Sequence, residues 1–139
     1  MLRAAPRRLA TVAACAAVLA SGCGSGDPAP ASELRQGQTL VVASAEGRAT
    51  AHVRAEGGHF AQGENVFLVD FDPTSTTLVA ASTFMPVHGH GSPDPVIGRD
   101  GDGYRVSSLL FTMPGLWNVT FDIVALDQPD EVELSVDVP

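Results

Sequence analysis

The chain has no lysine, and neither of its two cysteines lies beyond Cys23. Past that point there is no thiol. No internal disulfide can form there even in an oxidising compartment. A blue-copper centre and a cysteine nucleophile are also excluded, because both require a thiolate. Long hydrophobic runs are missing too: the most apolar stretch, Leu9 to Ala20, is too short to span a bilayer. No segment carries the apolar period of a helix of useful length. No Ser-His-Asp spacing and no phosphate-binding loop stands out, so an enzyme is not expected. Positive charge is scarce. Eight arginines face sixteen acids, and three of those arginines lie in the first 22 residues, which hold no acid. The chain after them has five arginines against sixteen acids, a charge of −11. Nucleic acid is therefore not an expected partner, since phosphate binding needs cationic side chains.

Arg3, Arg7 and Arg8 before the Leu9–Ala20 run read as an export signal over residues 1–22. The segment Leu19-Ala20-Ser21-Gly22-Cys23 resembles the lipobox of bacterial lipoproteins, with Ala20 standing where leucine is commonest. The resemblance implies that Cys23 is acylated and becomes the new N-terminus. Membrane lipid is then a partner, and the location is extracytoplasmic, on the cell membrane or the outer membrane. Gly24 to roughly Ser32 is Gly, Ser, Pro, Ala and Asp without apolar periodicity, which reads as a tether. The expected division is a lipoprotein signal over 1–22, the lipidated cysteine and tether over 23–38, and one domain over 39–139, a size that can bury a single core.

From Thr39 onward the patterning has period two, punctuated by Gly, Asp and Pro. Thr39 to Ala43 reads as a short strand, and Ala49 to Ala55 alternates Ala and Val against Thr50, His52 and Arg54. Asn65 to Phe71 sets Phe67, Val69 and Phe71 on one face. Thr77 to Met85 is apolar on both faces and is expected to be covered on both. Tyr104 to Thr112 follows a turn at Asp100-Gly101-Asp102-Gly103. Trp117, Val119, Phe121, Ile123 and Ala125 form the cleanest inward row, and Glu131 to Val138 closes the chain as an amphipathic strand. This is an all-β chain of about seven strands, best read as an immunoglobulin-like antiparallel β-sandwich with a small barrel as the alternative. Tyr104 is expected at a corner and Trp117 in the core.

Two Met-Pro pairs draw attention. Met85 and Met113 each end a strand-like run and are each followed by proline, while His88 and His90 flank Gly89. If the runs meet at one rim, two thioethers and two imidazoles gather there. Both donor types are neutral, and sulfur is polarisable, so the set suits Cu(I) better than Zn(II) or hard cations. The stretch Phe84 to His90, then Gly103-Tyr104 and Met113-Pro114-Gly115-Leu116-Trp117, resembles the YtkA-like and FixH-like families over roughly Asn65 to Val124. Members of these families are exported or membrane-attached β-sandwich domains, several of them associated with copper handling or oxidase assembly. The resemblance implies a metal-binding set of Met85, His88, His90 and Met113, and leaves Cys23, His52 and His59 outside it. The expected role is sequestration of copper or its delivery to an accepting partner. The alternative is a metal-free binding module in which the Met-Pro rim docks a membrane protein. His52 and His59 are expected at the surface. Asp100 to Gly103 is expected to be a hairpin turn, since neither the closing glutamate nor the helices of a calcium-binding loop are present.

Overall fold

Alternating side chains bury one face of a strand, and the burial of this chain follows that period through most of its length. The computed structural model describes residues 32–139. The signal expected over residues 1–22, Cys23 and most of the tether lie outside the described residues. Ten strands form in chain order: β1 (Ser32–Leu34), β2 (Thr39–Ala43), β3 (Thr50–Ala55), β4 (Gly63–Asp72), β5 (Thr77–Met85), β6 (His90–Gly91), β7 (Val96–Asp100), β8 (Gly103–Phe111), β9 (Gly115–Ala125) and β10 (Gln128–Val138).

They build two sheets of five strands, ordered β1-β10-β9-β5-β6 and β2-β3-β4-β8-β7. The chain changes sheet between β1 and β2, between β4 and β5, between β6 and β7, and again between β8 and β9. The orders β4-β8-β7 and β10-β9-β5-β6 are those of the two faces of an immunoglobulin-like sandwich. Two distinct sheets, each with its own edges, make this a sandwich and not a small barrel. Tyr104 is buried, with its ring edge-on to Phe71 and its hydroxyl donating to the Thr76 carbonyl at 3.4 Å, a long-range contact and not the local one of a corner tyrosine.

The core is aliphatic and aromatic, with no disulfide. β9 lies between β10 and β5 and supplies Trp117, Val119, Phe121, Ile123 and Ala125, all buried. Opposite them the second sheet contributes Val53, Phe67, Val69, Val106, Leu109 and Phe111.

The architecture differs from the sequence expectation in three places. A strand stands at Ser32–Leu34, before residue 39, because β1 pairs in parallel with β10 and seats Leu34 in the core at 1% exposure. Leu34 is a single apolar residue among polar ones, so no alternation marks it. The strand number is ten instead of about seven, since β1, β6 and β7 are short and are held by their neighbours more than by their own pattern. Finally, β5 is covered on one face only. A register shift between Leu78 and Ala80 places Leu78, Ala81, Thr83 and Met85 inward and leaves Val79 and Phe84 exposed. An added residue in one strand of a pair reverses the phase of everything after it.

One carboxylate ties the sheets together at the end where β9 turns into β10. Asp130 accepts from the backbone N–H groups of Glu46 at 3.0 Å and Arg48 at 3.3 Å, both in the β2–β3 connection, and the Ala45 N–H donates to the Glu131 carbonyl at 2.8 Å. Burial raises the Asp130 carboxyl, but hydrogen bonds from Ser44 and from the backbone of Glu46, Glu131 and Arg48 together hold it below the usual aspartate value. A carboxyl lowered by folding stabilises above its unfolded pKa and loses that stabilisation as pH falls through its folded one. Asp130→Ala should therefore lower the melting temperature at about pH 7, and the gap to the parent should narrow at about pH 3, below the ordinary aspartate value. Thermal melts at both values check this, and equal gaps would mean that the charge of Asp130 is not what matters.

Candidate functional site

Met85 is the last residue of β5 and faces inward, 3% exposed. Pro86 cannot continue the ladder, and the chain folds back in a short turn in which the N–H groups of His88 and Gly89 both donate to the Met85 carbonyl, at 3.2 and 2.9 Å. Gly89 takes φ +65°, a conformation that glycine adopts without strain. The return strand β6 then sets His90 directly opposite Met85 and Gly91 opposite Phe84. A thioether and an imidazole are thereby paired across a two-residue ladder. His88 lies exposed in the turn, and its ring centroid is 6.0 Å from that of His90.

Met113 arrives from elsewhere. β8 ends at Phe111, two residues before it, and belongs to the opposite sheet, so the strand that Met113 follows is not a neighbour of β5. The Met113-Pro114 turn carries the chain across to β9, and β9 is the strand that pairs with β5. Met113 is half-buried against the core. Gly115, the next residue but one, sits beneath Met85: a Cβ placed there would lie 2.8 Å from the Met85 Cε. Its φ of +121° also disfavours any other residue.

Trp117 joins the two halves. It is fully buried, and its indole N–H donates to the Met113 carbonyl at 2.9 Å. Its ring meets that of His90 edge-to-face, with centroids 5.8 Å apart at 73°, and lies 5.5 Å from Phe111 on the other side. One side chain therefore fixes the carbonyl of Met113 and the face against which His90 rests. The inward row of the sequence places Trp117 in the core, but nothing in that row shows that Trp117 and Gly115 both shape this cluster. Their signal was the run Met113-Pro114-Gly115-Leu116-Trp117 itself.

The fold thus brings all four predicted residues to one end of the sandwich: Met85 and His90 by strand pairing, His88 by the turn between them, and Met113 by the crossover. Among the described residues, no group of three or more His, Cys, Asp or Glu can hold a metal ion. The 6.0 Å between the His88 and His90 ring centroids is about the most that two imidazoles on one ion can span, reached only with the rings on opposite sides of it, so His88 has to move closer to join a set of four donors. His52 projects half-buried from β3, and His59 is exposed in the loop before β4. The Asp100–Gly103 segment is the hairpin turn between β7 and β8, with Gly101 at φ +59°.

No family model matches the chain, and neither a curated protein nor a solved structure does. Function has to be argued from this geometry.

Gly115→Ala should cost about 1–2 kcal/mol of stability in denaturant melts, through its strained backbone and the displaced Met85 methyl. A variant as stable as the parent would show that the close approach of Met85 to the turn is not required.

Proposed function

We propose that this protein is an exported lipoprotein of YtkA-like type, anchored through Cys23, whose sandwich binds Cu(I) through Met85, His88, His90 and Met113. Its role is to sequester copper outside the cytoplasm or pass it to an accepting protein. The observation that supports this reading is the convergence at one rim: Met85 and His90 face each other across the β5–β6 ladder, and Trp117 touches His90 while bonding the Met113 backbone. Sulfur and imidazole donors are a soft, neutral set, which favours a monovalent soft ion over Zn(II), Ca(II) or Mg(II). No thiolate or carboxylate belongs to the set. The bound ion then keeps its charge, and a thiolate-bearing acceptor can take it.

The chain's own residues divide the work. The buried Met85 and half-buried Met113 hold their sulfurs against apolar neighbours. His90 is braced by Trp117, and His88, exposed on a glycine-flanked turn, is the donor free to swing. That asymmetry gives an entry and exit side to the site. A metal-free module docking a membrane protein is supported by a different feature of the same rim, its exposed apolar side chains Val87, Phe84 and Leu116, at 80, 46 and 44% exposure.

Competition titration against a colorimetric Cu(I) chelator separates the two. Leucine replaces methionine with little change of volume, so Met85→Leu combined with Met113→Leu should fold and bind Cu(I) roughly tenfold more weakly or worse. Binding as tight as the parent's would remove the thioether site and leave the docking reading. For the anchor, Cys23→Ser should abolish incorporation of labelled palmitate in the bacterial cell, and undiminished labelling would show that Cys23 is not the acylated residue.

A further inference from the structure

A second feature lies on the outer face of sheet β1-β10-β9-β5-β6, at the end away from Met85 and Gly115. A groove of about 500 Å³ runs across the strands there, floored by Val79, Val124 and Pro129 and rimmed by the carboxylates of Glu46, Asp122 and Glu131. A second hollow of about 450 Å³ shares Val79 and Asp122 with it and continues round the edge of β5 to Asp94, Pro95 and Ile97. The two make one trough. The continuation is open because β6 pairs only with Phe84 and Met85, leaving the β5 edge from Val79 to Ser82 without a strand beside it.

Its charge is of one sign. Asp122 and Glu131 stand directly opposite each other across the β9–β10 ladder, a like-charge pair that weakens the sheet. Among the described residues no arginine lines either hollow. Arg105 is paired with Glu56, Arg35 with Glu33, and Arg99 stacks 4.4 Å from the Tyr104 ring centroid. Arg54 lies on β3 of the other sheet, and Arg48, the nearest, spends a guanidinium N–H on the Pro129 carbonyl at 3.1 Å. Asp130 also borders the groove, but its oxygens are taken by backbone N–H groups. The carboxylates of Asp122 and Glu131 have no such partners in the described residues. Val79, meanwhile, is 59% exposed at the junction of the two hollows.

We propose that this trough docks an extended segment of a partner protein in which Lys or Arg alternates with apolar residues. The apolar side chains lie on Val79, Val124 and Pro129, and the cations meet Glu131 at one end, Asp122 where the two hollows join and Asp94 at the other end. A trough crossing three strands spaced ~4.8 Å apart, with overhang at both edges, takes roughly six extended residues. A second copy of this chain docking through the same face is a poor occupant, since it would bring the same carboxylates together. The surface is separate from the Met/His cluster, so the proposal does not depend on copper.

Fluorescence anisotropy tests it, using the full-length protein in mild detergent and a fluorescein-labelled Lys-Val-Lys-Val-Lys-Val peptide, with detergent alone as the blank. Saturable binding is expected. Asp122→Asn combined with Glu131→Gln should weaken it by at least about fivefold, and so should exchanging the valines of the peptide for serine. Asp100→Asn combined with Asp102→Asn removes the same charge from the β7–β8 turn on the other sheet and should leave binding unchanged. Equal weakening by the two double variants would reduce the effect to net charge and overturn the proposal. So would a Lys-Ser peptide that binds as tightly, an absence of saturable binding, or sedimentation of the peptide-free protein as a dimer that Asp122→Asn with Glu131→Gln strengthens.

Discussion

An indole N–H buried as deeply as that of Trp117 needs a hydrogen-bond partner, and the one it has is the carbonyl of Met113. That bond spans the turn by which the chain leaves one sheet and enters the other. It fixes where β9 begins, and therefore where the inward row from Trp117 to Ala125 meets β5 on one side and β10 on the other. Without a disulfide in the sandwich, such buried contacts between the sheets have to hold them in register. The same ring then serves as the wall against which His90 rests. The packing that starts the core and the packing that shapes the Met/His rim are one set of contacts.

The two ends of the β5-containing sheet are used differently. At one, proline and glycine stop the strands and expose backbone turns rich in soft donors. At the other, the strands run on to the β9–β10 turn, and Asp130 binds the β2–β3 connection through backbone N–H groups. Asp122 and Glu131 are close to Asp130 in sequence and carry the same charge, yet their side chains point outward and take no part in that tie. A carboxylate that saturates itself on backbone donors is structural. One that faces its like across a ladder is available to something else.

Much of the fold could be read directly. β3, β4 and β9 alternate cleanly because one face meets the core and the other meets water, whereas β8 changes phase at a bulge near Ser108 and β10 buries Ser135 between Leu134 and Val136. β5 misled by being apolar on both faces, and only the register shift near Ala80 decides which side is inside. β1 left a single mark, Leu34, and β6 left none beyond the histidine and glycine that compose it. Short strands of this kind are made by the neighbour that offers a free edge. At the rim, the donor types and the prolines beside them were legible, whereas the roles of Trp117 and Gly115 depend on distances between segments far apart in the chain.

The sequence by itself determined that this is an all-β chain with a thiol-free core, an acidic surface and two Met-Pro stops, because period, composition and proline chemistry act locally and need no partner. Only the tertiary structure decided that the Met113 turn, coming from the opposite sheet, arrives beside Met85 and His90. It also decided that Val79 and Asp122 line one trough. Both outcomes depend on which strands become neighbours, and that is settled by the joint packing of two sheets around Trp117 and Phe121, which no single segment encodes.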